Sequence, residues 1–137
     1  MPRERARKRL ASPTSRSRPP RRILVAEQDL QAAQGLAVLL RHLGHDVELA
    51  HDGHAALEAA RINRPQLVLL GLVLPGVDGF RVVECLRQDA GFSRASIVAV
   101  ARSGREEDRQ RSRDAGFDEH LVKPINLEAL RSLIERF

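Results

Sequence analysis

Three short stretches hold the side chains of this chain that could act together: Glu27-Gln28-Asp29, Lys123-Pro124, and the loop Leu74-Pro75-Gly76-Val77-Asp78-Gly79-Phe80 that follows Gly71. Each comes after an apolar run: Ile23 to Ala26, His120 to Val122, and Leu67 to Leu70. In open α/β sheets, ligands bind just outside the carboxyl ends of the strands, where loops leave side chains free to converge. Glu27 and Lys123, brought to such an edge, could form an ion pair or stand as two solvated charges. The loop combines a proline, two glycines and an aspartate that can cap the next helix, a tight turn of high specificity. Other chemistries find less support. Ala26-Glu27-Gln28-Asp29 contains no glycine, so it offers no nucleotide-phosphate cradle. His42 with His45 and His51 with His54 are spaced three apart, as metal ligands on a helix can be, but each pair straddles a predicted helix end. No serine or cysteine stands out as an activated nucleophile.

The elements that must position these residues alternate. Leu67 to Leu70 is apolar throughout and follows Pro65, which predicts a central strand buried on both faces. Arg22 to Ala26 predicts a first strand. Asp29 is placed to cap a helix carrying Leu30, Ala33, Leu36, Ala37, Leu40 and Leu43, which Gly44 ends. Val47 and Leu49 alternate with Glu48 in a half-exposed second strand. Asp52 or Gly53 opens a helix closed by Asn63 and Pro65, and a third helix runs from Gly79 through Leu86. Ile97 to Val100 predicts a fourth strand. Gly104 to Ala115 reads as a helix held by charge pairs such as Glu107 with Arg111, not by an apolar stripe, and so as the least firmly packed. A short strand over His120 to Val122 follows, and Asn126 caps a last helix with Leu127, Leu130, Ile134 and Phe137 on one face. Five strands alternating with five helices give an α/β fold with helices on both sheet faces.

At 137 residues the chain suits one domain. Its charge is uneven: residues 1–22 hold nine Arg or Lys against Glu4 alone, whereas the remainder holds 14 basic and 17 acidic residues. Residues 1–21 are therefore expected to be a disordered basic tail, too poor in apolar groups to offset their ordering entropy. Arg3, Arg5, Arg7, Lys8 and Arg9 could contact nucleic acid or another anionic surface, without base stacking, since no aromatic residue interleaves them. The single cysteine, Cys85, excludes an internal disulfide and is expected as a small core residue on a helix. The apolar runs are too short to span a bilayer, and the tail lacks a hydrophobic signal region, so a cytoplasmic protein is expected.

The loop after Gly71 resembles that of receiver domains of bacterial two-component response regulators, and the resemblance covers residues 22–137. It implies a flavodoxin-like (βα)5 three-layer sandwich with a parallel sheet in the order 2-1-3-4-5. It also implies roles by position. The phosphate-accepting aspartate at the end of the third strand is here Gly71, and the acidic pair that holds magnesium is Glu27 and Gln28. The hydroxyl residue that reports phosphorylation is Ala101, the aromatic or histidine switch is His120, and the lysine before proline is Lys123. The scaffold is kept while the acceptor is missing.

Magnesium wants several oxygen ligands and phosphoryl transfer needs a nucleophile, so the resemblance implies a receiver that is not phosphorylated in the usual way. The expected function is a phosphorylation-independent interaction module of a two-component pathway. It would be no enzyme, would need no metal or other cofactor, and would present its fourth helix, fifth strand and fifth helix to a protein partner; a homodimer is possible. The alternative is a nucleic-acid or anionic-surface binder acting through the Arg-rich tail, with the receiver-like domain as scaffold or dimeriser. An enzyme acting on phosphate through a rearranged pocket lacks a nucleophile and ranks last.

Overall fold

A computed structural model describes residues 20–137. The expectations for residues 1–19, including the roles of Arg3, Arg5, Arg7, Lys8 and Arg9, lie outside the described residues. Arg21, however, expected in the disordered tail, is tied to the domain: its N–H donates to His45 Nδ1 and its carbonyl accepts the Asp46 N–H. Strand β1 (Arg22–Ala26) is followed by α1 (Leu30–His42), β2 (Asp46–Ala50), α2 (Gly53–Asn63), β3 (Leu67–Gly71) and α3 (Gly79–Arg87). A single 3-10 turn (Ala90–Phe92) then leads to β4 (Ser96–Ala101), α4 (Glu106–Ala115), β5 (Glu119–Val122) and α5 (Leu127–Arg136). The strands form one parallel sheet in the order β2-β1-β3-β4-β5, as the resemblance implied.

Because side chains alternate across a strand, β1 feeds two cores. Ile23 and Val25 face α1 and α5, packing with Leu36, Leu40, Leu130 and Leu133. Leu24 and Ala26 face the opposite layer, with Leu57, Val82, Leu86 and Phe92. All five residues of β3 are buried, which is why its sequence shows no polar alternation. The β2 edge is half exposed, and Cys85 is a partly buried residue of α3 packed against the second core.

Four helices start on a side-chain cap that accepts a backbone N–H of the first turn: Asp29, Asp52, Asp78 and Asn126. Such a cap contributes about 1 kcal/mol. Gly44, at φ 95°, supplies the left-handed turn after α1. One tie has no periodic signature in the sequence. Arg87 reaches from α3 to the carbonyls of Phe92, Ala95 and Gly116, and meets Asp118 at 2.7 Å.

Helix α4 departs from its expected form. It begins at Glu106, not Gly104, because the Ser103 hydroxyl accepts the Arg105 N–H and holds that segment as a turn. The Glu107–Arg111 pair does not form: Glu107 faces Arg105, Glu106 pairs with Arg113 at 2.9 Å, and Arg111 stacks on Phe80. Its only buried residue is Ser112 and its N-cap, Arg105, makes no side-chain cap bond. In native-state hydrogen exchange, α4 should therefore open at lower free energy than α1, which buries Ala33, Leu36, Ala37 and Leu40; equal protection of the two helices would contradict this account.

His45 makes stability pH-dependent. Burial first, and the Arg21 charge second, hold its pKa below the ordinary 6.5. Its Nδ1 accepts the Arg21 backbone N–H at 3.0 Å, which requires that nitrogen to be unprotonated. The unfolded chain takes up this proton more readily, so His45's contribution is present above its unfolded pKa and is lost as pH falls through the lower folded value. The urea midpoint should drop between about pH 7 and about pH 5. In His45→Asn, whose Oδ1 can accept the same N–H, that drop should shrink.

Candidate functional site

The carboxyl edge of the sheet opens into a cavity of about 480 Å³. Glu27, Gln28, Gly71, Ala101 and Lys123 all line it, so five positions spread over nearly a hundred residues converge because parallel strands end on the same side. Glu27 follows β1 and is buried, its side chain only 3% exposed. One carboxylate oxygen, Oε2, accepts the Asp29 backbone N–H at 2.9 Å. The other, Oε1, lies 2.7 Å from Lys123 Nζ but outside hydrogen-bonding alignment, so that attraction is coulombic.

Gly71 stands beside this pair. A Cβ built there would lie 3.2 Å from the Ala26 carbonyl oxygen and 3.4 Å from Glu27 Oε1. The Glu27 carboxylate thus borders the volume that a side chain at position 71 would enter. The loop beyond is pinned to the strand end: Gly79 N–H donates to the Leu72 carbonyl at 3.0 Å, and a Cβ on Gly79 would collide with the Gly71 and Leu72 backbone. Asp78 then starts α3 by accepting the Arg81 N–H.

The sequence did not single out several groups in this cavity. Ser103, two residues past Ala101, brings a hydroxyl to the wall, but that hydroxyl donates to Asp108 at 2.6 Å. This hydrogen bond is the main reason the Asp108 carboxyl titrates below its ordinary range. Arg111 lines the wall with its guanidinium 3.9 Å from the centre of the Phe80 ring, a cation–π contact. Helical spacing alone could not show which way Arg111 turns.

His120 is not part of the cavity wall. It is buried under α4, with Nδ1 2.8 Å from Ser112 Oγ and Nε2 2.8 Å from the Ser103 carbonyl oxygen. The other histidines serve the backbone or stand apart: His51 Nδ1 is 3.2 Å from the Glu27 carbonyl oxygen. Among the described residues no three His, Cys, Asp or Glu side chains gather as a metal-binding set.

The model of the response regulator receiver domain matches residues 23–135. This chain belongs to the response regulator receiver domain family. It is 38% identical over 109 residues to the DNA-binding response regulator MtrA of Mycolicibacterium paratuberculosis, a match covering 80% of this chain and 47% of that protein. The chain spans about half the length of the curated relatives it matches. Among solved structures, the chemotaxis response regulator CheY4 of Vibrio cholerae superposes with a TM-score of 0.82 at 25% identity, over 86% of this chain and 98% of that one. The receiver domain of the sensor histidine kinase PA1611 of Pseudomonas aeruginosa, which holds a magnesium ion in its active-site cleft, gives a TM-score of 0.79 at 27% identity, over 86% and 97% of the two chains.

In this receiver domain the residues at the corresponding edge do not fit such an ion. A hard divalent cation takes several oxygen ligands, preferably carboxylates. Of the carboxylates that line the cavity, Asp29 and Asp78 cap their helices, Asp108 takes the Ser103 hydroxyl, and Glu27 is already held by an ammonium and a backbone N–H.

Removing one partner of a buried ion pair leaves the other charge unanswered at low dielectric. Lys123 is 30% exposed, so water offsets part of that loss. Lys123→Met should lower unfolding free energy by about 2 kcal/mol, and adding Glu27→Gln should restore part of it. A double-mutant cycle from denaturant titrations measures the coupling; strictly additive losses would show that the pair contributes nothing.

Proposed function

We propose that this chain is a pseudo-receiver, a receiver domain that takes up no phosphoryl group and binds a protein partner of a two-component pathway in one constitutive state. The observation that carries this reading is the Glu27–Lys123 ion pair closed beside the side-chain-free Gly71. Phosphoryl transfer to a carboxylate requires the nucleophile itself and positive charge on the phosphoryl oxygens. Gly71 has no nucleophile to offer, and the positive charge of Lys123 is engaged by Glu27. Ala101 has no hydroxyl to report a phosphoryl group, and the nearby Ser103 hydroxyl is committed to Asp108.

A single state also agrees with His120, fixed on both ring nitrogens by Ser112 and the Ser103 carbonyl. A ligand shifts a conformational equilibrium only by binding its two states differently, and no such differential contact is left here. The module acts by binding, not by catalysis. Its partner surface in this reading is α4, β5 and α5, where α4 buries none of its charged side chains, and a homodimer would use the same face. Two-component relays work in the cytoplasm, and no described helix is long and apolar enough to cross a membrane.

Incubated with magnesium and a small phosphodonor, the wild-type chain should gain no aspartyl phosphate by intact mass. Gly71→Asp alone should stay poorly reactive, since its carboxylate would enter beside the Ala26 carbonyl and the Glu27 carboxylate. Shortening the neighbour and restoring a second acid, in Glu27→Asp/Gln28→Asp/Gly71→Asp, should give measurable labelling. Uptake of phosphate by the wild type at one aspartate would refute the proposal.

A further inference from the structure

The opposite, amino-terminal edge of the sheet carries a second cleft, of about 880 Å³, that the receiver reading does not use. Four arginines line it: Arg21 and Arg22 at the entry to β1, Arg64 between α2 and β3, and Arg94 between the 3-10 turn and β4. The charges of Arg22, Arg64 and Arg94 are weakly answered. Arg22 donates to the carbonyls of Asn63 and Arg64, which carry no net charge. Arg64 meets Asp89 only at 3.7 Å with half of its side chain exposed, and Arg94 is exposed with no acid paired to it among the described residues.

Arg64 sits at this cleft at a conformational cost. It is the one non-glycine with positive φ among the described residues, at φ 48° and ψ 62°, where the residue closing α2 would ordinarily be glycine or asparagine. Its guanidinium lies 5.2 Å from the centre of the Phe92 ring and crosses Gly91, where any Cβ would collide with it. Backbone strain that survives at a residue able to do chemistry points to a use for its side chain.

We infer that this cleft is a docking site for the phosphodiester backbone of nucleic acid. Arginine presents a planar fork of donors that matches phosphate oxygens, and a groove lined by such forks can track a phosphate chain. The sequence supplies more of the same charge: seven further Arg or Lys fall within residues 1–20, which lead directly into Arg21 and Arg22. A lipid surface fits less well. Charge alone attracts a basic surface to anionic lipid, but membrane adsorption is strengthened by an apolar face that inserts, and none of the exposed large hydrophobics Leu30, Val38, Ile62 and Val73 lines the cleft.

The test is fluorescence anisotropy of a labelled DNA duplex of arbitrary sequence titrated with the full chain over a range of salt, beside vesicles of phosphatidylserine and phosphatidylcholine. Arg64→Gly/Arg94→Ala removes two cleft charges, leaves the residues before Arg21 intact, and places glycine where the backbone favours it; circular dichroism checks that the variant folds. Wild type should bind the duplex more tightly than the vesicles. The double variant should bind several-fold more weakly, with its log-affinity against log-salt slope reduced by about two. A variant with the wild-type slope, a duplex that does not bind, or a preference for the vesicles would each overturn the assignment.

Discussion

A carboxylate withdrawn from water must be answered by positive charge, and at the carboxyl edge of this sheet the answer comes from within the chain, as Lys123 meets Glu27. The rest of the edge is arranged around that pair. Glutamate is one methylene longer than aspartate, and its carboxylate reaches toward the end of β3, where Gly71 leaves room. The two residues are complementary in volume. A side chain at position 71 would have to share space with the Ala26 carbonyl and with Glu27 Oε1. The loop that follows cannot retreat to make that space, because Gly79 already lies against the backbone of Gly71 and Leu72.

The same edge is tied to α4 by polar contacts. That helix buries no apolar side chain of consequence, so its position depends on Ser112 with His120, His120 with the Ser103 carbonyl, and Ser103 with Asp108. A buried imidazole satisfied at both nitrogens is costly to turn outward, since both hydrogen bonds would be lost together. Arg111 on Phe80 adds a contact toward α3. The helix is therefore lightly packed yet specifically oriented.

The two ends of the sheet differ in how charge is handled. At the carboxyl edge the acids are answered, Glu27 by Lys123 and Asp108 by the Ser103 hydroxyl and Arg105, while Arg111 rests on the Phe80 ring. At the amino-terminal edge, guanidinium groups rest on carbonyls, on an aromatic ring, or on a carboxylate at long range. Matched charge consumes the ability to bind ions, and unmatched charge keeps it. The Glu27–Lys123 pair of the first edge is thus closed on itself, while the guanidinium groups of the second keep their charge for anions.

Periodicity and end signals were enough to make the fold legible in the sequence. The fully apolar Leu67 to Leu70 and Ile97 to Val100 read as interior strands, and Asp29, Asp78 and Asn126, with Asp52 or Gly53, marked where helices begin. The absence of a carboxylate at Gly71 was equally plain, because it is a fact of composition at one position. Tertiary structure alone decided what replaced it. The sequence allowed Glu27 and Lys123, nearly a hundred positions apart, either an ion pair or two solvated charges, and only the strand order and side-chain directions decided for the pair. The same reason hid the partners of α4, where Glu107 turned to Arg105 and left Arg111 to Phe80. It also hid the arginine cleft, since Arg22, Arg64 and Arg94 share a surface only after three parallel strands have been brought side by side.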